Sequence, residues 1–376
     1  MRPSVLLCRQ GEKVRLAATP AGFPGAPFSA TAAADGTWSI QLKPDVAPGA
    51  TVSRPGSFTL TLSGSAAESS DLVATDVVWG DVYLCTGQSN MEKTVGYTWN
   101  ASAEIAAADH PSMRLFQRQS IACQNASNPP AGVTPDECGP KGPWHTPSRA
   151  LTGSCIYPGS PGKNCPKPQR TWTQVTPAVI GKFSAICYFT VRDVARLQTG
   201  ARPQGLIESD WGGTPVQAWT EPKGLAACGL STTNCTTEKG GDCMHYPSSL
   251  FNRMVFPFVG YGLRSILWYQ GEANSDEGFP MLREQYACAF GQMIAGWREA
   301  WNAPMLPFGF VQLSSWTGNW GFDNMPCVEN YCPVISRIRL AQGDIVAQAG
   351  PPVHPIHPGT PQFPMSNTFM AVAFDQ

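Results

Sequence analysis

Ser89 stands in Gly87-Gln88-Ser89-Asn90-Met91, directly after the apolar run Val77-Val78-Trp79-Gly80-Asp81-Val82-Tyr83-Leu84-Cys85. A serine on a tight turn at a strand end exposes its hydroxyl and aims its own backbone N–H at a bound substrate, the arrangement of a serine nucleophile. The pattern is not Gly-x-Ser-x-Gly, so the α/β-hydrolase elbow is absent, and locally the residues read equally well as a helix cap. Glu208-Ser209-Asp210-Trp211-Gly212-Gly213-Thr214-Pro215 follows another apolar run. Its paired glycines let a backbone N–H approach a ligand with no side chain intervening. Alone the segment reads as an ordinary turn, with Asp210 as a catalytic carboxylate or, more simply, a solvated loop acid. Tyr269-Gln270-Gly271-Glu272-Ala273-Asn274 places an amide at a third strand end, where Gln270 donates either to an oxyanion or to its neighbours.

These segments need a scaffold that brings strand ends together. The run 77–85 reads as one strand buried on both faces, as do 205–207, 265–269 and 308–313. Helical periods lie between them. Residues 184–198 put Phe189, Val191, Val194 and Leu197 on the buried side, and residues 281–301 do the same with Tyr286, Phe290, Met293 and Trp297. Strands alternating with helices predict an α/β fold, a parallel sheet with helices on both faces, and ligands bind outside the carboxyl ends of such strands. Residues 1–76 read differently: Val14-Arg15-Leu16, Trp38 to Leu42 and Ser57 to Leu62 alternate apolar and polar, predicting a small β-sandwich-like module. The expected division is therefore 1–76 and 77–376, the second carrying Cys-, Pro- and Gly-rich insertions at about 119–172 and 224–247.

Composition narrows the partners. The formal net charge is −1, the pI is near 6.5, and no basic cluster occurs, so nucleic acid is not expected. No stretch of eighteen apolar residues predicts a membrane span. Charged residues are 14% of the chain, below the usual quarter, which suits a neutral, polar substrate. The thirteen cysteines show no C-x-x-C spacing, and Cys243 beside His245 is a poor metal signal, so no metal is assigned. They read as disulfides of an oxidising compartment, secreted or lysosomal. The expectation is that Cys123, Cys138, Cys155 and Cys165 pair among themselves, and that Cys228, Cys235 and Cys243 supply another bridge. The sequons at Asn100, Asn125 and Asn234 fit a glycoprotein. The start, Met1 to Cys8, is too short an apolar run for a signal peptide, as if the amino terminus lay upstream.

In order along the chain, the three polar segments resemble the blocks of the sialate O-acetylesterase family. Val77 to Met91 resembles its strand followed by Gly-Gln-Ser-Asn-Met, Ser209 to Trp219 its Ser-x-Trp-Gly-Gly-Thr-Pro-x-x-Ala-Trp block, and Leu250 to Asn274 its Trp-Tyr-Gln-Gly-Glu-x-Asn block. The resemblance implies an SGNH-hydrolase-like fold and a metal-free serine esterase acting on acetylated sugars through an acetyl-enzyme, with no cofactor. It implies Ser89 as nucleophile, with the oxyanion held by the Ser89 N–H, the Gly212-Gly213 turn and Gln270. Asn90, Glu272 and Asn274 would order the site or touch substrate. Trp211, Trp219 and Tyr269 read as sugar-facing or as core.

The family's base is a histidine in an Ile-His-Pro block after a strand like Asn367 to Ala373, and the chain stops at Gln376, short of it. Val353-His354-Pro355-Ile356-His357-Pro358 precedes that strand in a Pro-rich stretch, so His354 and His357 read as loop residues, with His357 the candidate for a substitute base. His110, His145 and His245 are read as insert residues without a role. Two alternatives stand beside the leading reading: an acetylxylan-type esterase, and a catalytically impaired carbohydrate-binding fragment.

Overall fold

The computed structural model describes residues 10–20, 28–34, 36–42, 57–65, 71–118, 172–198, 202–232, 243–275, 279–314, 334–346, 361 and 363–373. Near the amino terminus four strands pair antiparallel in the order β2-β1-β3-β4: β1 is Lys13–Thr19, β2 Phe28–Thr31, β3 Phe58–Gly64 and β4 Leu72–Val77. Alternation along β3 buries Phe58, Leu60 and Leu62, and Leu16, Phe28 and Leu42 pack against the first two. Trp38 to Leu42 shows the expected alternation of half-buried and exposed residues but joins no ladder, so that strand expectation is corrected. Periodicity reports which side is covered, not whether a neighbouring backbone is within reach.

The second sheet has seven strands in the order β11-β10-β9-β5-β8-β6-β7. They are β5 Asp81–Gly87, β6 His110–Gln117, β7 Thr173–Val175, β8 Gln204–Asp210, β9 Ser265–Tyr269, β10 Phe308–Gln312 and β11 Thr368–Val372. Every neighbouring pair is parallel except the edge pair β6 and β7. The run read as one strand over 77–85 is two. Val77 closes β4 of the first sheet, three residues turn the chain, and Asp81 opens β5 of the second. Arg114 of β6 ties the two sheets by donating to both carboxylate oxygens of Asp76, at 3.1 and 2.9 Å.

Helices cover both faces of the larger sheet, as the register shows. Cys85 is disulfide-bonded to Cys187 of the helix Ala185–Leu197. Its neighbour Thr86 points the other way, level with Trp268, whose ring meets Phe290 and Trp297 of the helix Arg283–Ala300. In that helix Tyr286, Phe290, Met293 and Trp297 are all buried, as the period predicts. In the other helix the expected face is rotated. Cys187, Tyr188 and Val191 are buried, Phe189 is half-buried, and Leu197 is exposed. The disulfide to β5 sets that rotation, because Cys187 must face the sheet. A further helix, Val334–Val346, was not foreseen.

Both disulfides differ from expectation. Cys228 bonds Cys288 of the helix Arg283–Ala300, not an insertion cysteine, and Cys85–Cys187 fastens the sheet itself. Cys123, Cys138, Cys155, Cys165 and Cys235 lie outside the described residues. Among the described residues no helix is long and apolar enough to cross a membrane.

Candidate active site

Strand β5 lies between β9 and β8, so the segments that follow these three strands meet at one edge of the sheet. Backbone bonds join them: Gln88 N–H donates to Tyr269 O at 2.9 Å, and Trp211 N–H to Gly87 O at 3.0 Å. Gln88 is buried, and its side-chain oxygen accepts from the N–H groups of Gly271 and Ala273 at 3.3 and 3.2 Å. After Gln88 the chain closes a turn, with Met91 and Glu92 donating to Gln88 O. Ser89 rides on that turn and is half-exposed. Among the described residues, neither its hydroxyl nor its N–H has a hydrogen-bond partner.

Gly212 lies against Ser89. A Cβ at Gly212 would stand 3.4 Å from Ser89 Cβ and 3.0 Å from Glu92 Oε2, so a side chain there would touch the serine and crowd the Glu92 carboxylate. Gly213 is exposed, adopts φ +70°, and has open space where a side chain would be. That left-handed conformation favours glycine. Thr214 Oγ1 donates to Trp211 O at 2.6 Å and accepts from Trp219 Nε1 at 2.9 Å, which locks the turn onto the core.

Gln270 reaches the same edge but is wholly buried with its amide in use. Nε2 donates to Thr214 O at 3.1 Å and Asn274 Oδ1 at 2.8 Å, while Oε1 accepts from Tyr286 Oη at 2.9 Å. In this geometry Gln270 holds the glycine turn and offers no spare donor. Asn274 is also buried; its Oδ1 accepts from Val216 N–H at 2.8 Å and its Nδ2 donates to Gln217 Oε1 at 2.9 Å. Asn90 Nδ2 donates to Glu272 Oε1, joining the first segment to the third. Burial pushes the Glu272 carboxyl up, against the lowering effect of its backbone and Asn90 hydrogen bonds.

Asp210 is not a solvated loop acid. β8 continues through it, and Glu208 and Asp210 are both buried on one face of the strand. Glu208 accepts from Ser184 N–H at 2.9 Å and Gln117 Nε2 at 3.1 Å. Burial foremost, then the charge of Glu92, pushes its carboxyl up to about 8 despite those bonds. Asp210 is raised as well, by burial and then by Glu208 and Glu92.

Trp211, Trp219 and Tyr269 are core rather than sugar-facing, each buried. His354 and His357 lie outside the described residues, as does His145. His110 opens β6 rather than an insertion, its Nε2 2.9 Å from Tyr188 Oη. His245 stands at the site, with Nε2 3.0 Å from Gly213 O and its ring 4.7 Å from that of Phe279. Sequence reasoning missed Glu92, whose Oε1 accepts from Gly212 N–H at 2.6 Å. The Ser89-Asn90-Met91-Glu92 spacing, that of a capping box, was a signal for a side chain turning back on this loop.

The α/β architecture, a largely parallel sheet with helices on both faces, is shared with a solved carbohydrate esterase. A carbohydrate acetylesterase from Xanthomonas citri superposes with a TM-score of 0.63 at 21% identity, over 98% of this chain and 64% of that one. Residues 174–332 match the family described as carbohydrate esterase, sialic acid-specific acetylesterase. The chain is 28% identical to rat sialate O-acetylesterase over 90% of this chain and 58% of that protein. To the human sialate O-acetylesterase it is 29% identical over 64% of this chain and 40% of that one. The chain thus spans a little over half the length of the rat protein.

Proposed function

We propose that the chain is a serine esterase that removes O-acetyl groups from sialic acids or related acetylated sugars through an acetyl-enzyme. The observation that carries this reading is the half-exposed Ser89 on the turn after the central strand, with the Gly212-Gly213 turn packed against it. Ser89 Oγ attacks the acetyl carbonyl carbon. The carbonyl oxygen, becoming negative, is received by the Ser89 N–H and an N–H of the glycine turn. The sugar oxygen leaves with a proton; water then cleaves the acetyl-serine and releases acetate. Both steps need a base to take a proton, and His357 is the residue proposed for it. Asn90, Glu272, Asn274 and Gln270 hold the three segments in place. The scheme calls for no metal or cofactor.

Acetylated sugar as substrate is supported by the family match over residues 174–332 and by the likeness to rat sialate O-acetylesterase. A secreted or lysosomal location is supported by the two disulfides, which persist in oxidising compartments.

The test is to incubate the protein with O-acetylated sialic acid and with p-nitrophenyl acetate, following acetate release and the acetyl adduct on the Ser89 peptide by mass spectrometry. Ser89→Ala is expected to remove both signals. Undiminished acetate release by Ser89→Ala would sink the reading. His357→Ala is expected to lower turnover by orders of magnitude; an unchanged rate would place the base elsewhere. Acetylated xylan in parallel separates sialate from xylan specificity.

A further inference from the structure

A backbone group that is buried or pinned has its hydrogen bond assigned, so the groups left over can be counted. In the segment 211–214 nearly all are assigned. Trp211 N–H donates to Gly87 O, and Trp211 O accepts from Thr214 Oγ1. Gly212 N–H donates to Glu92 Oε1 at 2.6 Å, Gly213 O is met by His245 Nε2 at 3.0 Å, and Thr214 O accepts from Gln270 Nε2. Of the N–H groups, only those of Gly213 and Thr214 have no partner among the described residues. Thr214 is buried, whereas Gly213 is exposed beside open space.

The geometry points to Glu92 and His245 as a two-sided clamp that fixes the Gly212-Gly213 turn so that the Gly213 N–H serves the reacting carbonyl oxygen. Glu92 holds the peptide before Gly212, and His245 holds the peptide after Gly213. The Gly212–Gly213 peptide between them is the one whose N–H stays available. At Gly213 φ is +70° and no Cβ constrains the chain, so without the clamp this peptide plane is free to rotate. A rotating donor is a poor oxyanion donor, because the hydrogen bond must be oriented before charge develops.

The chemistry of each partner is decided by what it faces. A carbonyl only accepts, so His245 Nε2 carries a hydrogen whether the ring is neutral or charged, and the contact survives either protonation state. His245 therefore acts as a positioning residue and not as the base. Phe279 against its ring restricts where the imidazole can swing. Glu92 only needs an acceptor oxygen, which a glutamine also supplies.

This inference rests on the esterase reading, and the experiment separates the two. Acetylation of Ser89 by p-nitrophenyl acetate is followed by mass spectrometry in the wild type and five variants, with thermal unfolding measured on each. Glu92→Ala and His245→Ala are expected to slow the maximal acetylation rate about 10- to 100-fold while leaving the half-saturating concentration nearly unchanged, as for a group that acts on the transition state. Glu92→Gln and His245→Gln, which keep the acceptor and the donor, are expected to recover most of that loss. The double alanine variant should lose less than the product of the single losses, because both act through one peptide. Full acetylation rates in both alanine variants overturn the clamp. Equal losses in the alanine and glutamine variants overturn it too, since the hydrogen bonds would then be irrelevant. No acetylation of wild-type Ser89 overturns the esterase reading itself.

Discussion

Asn274 shows how much of the site is held by single side chains. Besides its bonds to Val216 N–H, Gln270 Nε2 and Gln217, its Nδ2 donates to Phe279 O at 3.4 Å, so one buried amide joins three stretches of chain. Asn274→Ala leaves the Val216 N–H and a Gln270 hydrogen buried without acceptors, at a cost of about 1–3 kcal/mol for each group orphaned. The expected result is a stability loss of at least about 2 kcal/mol in urea denaturation, with slower Ser89 acetylation. A loss below about 0.5 kcal/mol would mean that water replaces the side chain. At this scale the sequence was readable where a residue acts with its own side chain in a recognisable place. Ser89 lies on a turn after its strand, and Asn274 bonds across to Val216 and Gln270. It was not readable where side chains act on backbone. Glu92 and His245 grip peptide groups, and a peptide group is the same at every position, so no residue type announces it. Gln270 reads as a donor because amides donate, but Thr214 O and Asn274 Oδ1 take both of its amide hydrogens.

At the level of elements, β8 explains why acidic residues mislead. The apolar triplet 205–207 was legible as strand, yet Glu208 and Asp210 belong to the same strand and are buried with it. Charge in a sequence usually marks solvent. Here the Glu208 carboxyl faces the start of the helix Ala185–Leu197, where Ser184 N–H needs an acceptor. The raised affinity of the two carboxyls for protons has a thermodynamic consequence with a definite sign. An unfolded glutamate releases its proton near pH 4.3, whereas folded Glu208 holds one up to about 8. Between these values the folded state binds the extra proton, so its stability falls as pH rises, by at most about 1.4 kcal/mol per pH unit from this group. Asp210 acts in the same direction. Thermal midpoints from pH 5 to 8 should therefore decline in the wild type and decline less in Glu208→Gln, whose amide still accepts from Ser184. Parallel curves for the two proteins would show that Glu208 ionises normally in the fold.

Across the whole molecule, the alternation of strands and helices was enough to predict a wrapped parallel sheet, because burial on both faces leaves a long apolar run in sequence. The join between the two sheets was hidden for the same reason: Val77 and Val82 look alike although they belong to different sheets. Cysteine connectivity was hidden too, since spacing carries no pairing information and the bonded cysteines sit inside elements. The Cys85–Cys187 bond spans 102 residues. On a chain-entropy account a loop of that size stabilises by about 4–5 kcal/mol. It also changes what a cut in the chain means. Every residue from 86 to 186 lies inside this covalent ring, including the whole stretch 119–171. A protease that severs one bond there opens the ring without releasing a piece. The amino-terminal part keeps β5, whose neighbours β8 and β9 are on the carboxyl-terminal part, so the two fragments also share a sheet. Limited proteolysis within 119–171 should thus give a nicked species that runs as one band on a non-reducing gel and as two after reduction. Two bands without reductant would show that the ring is not closed. Such a protein keeps its covalent integrity while losing its linear continuity, and tolerates a break where an open chain would fall apart.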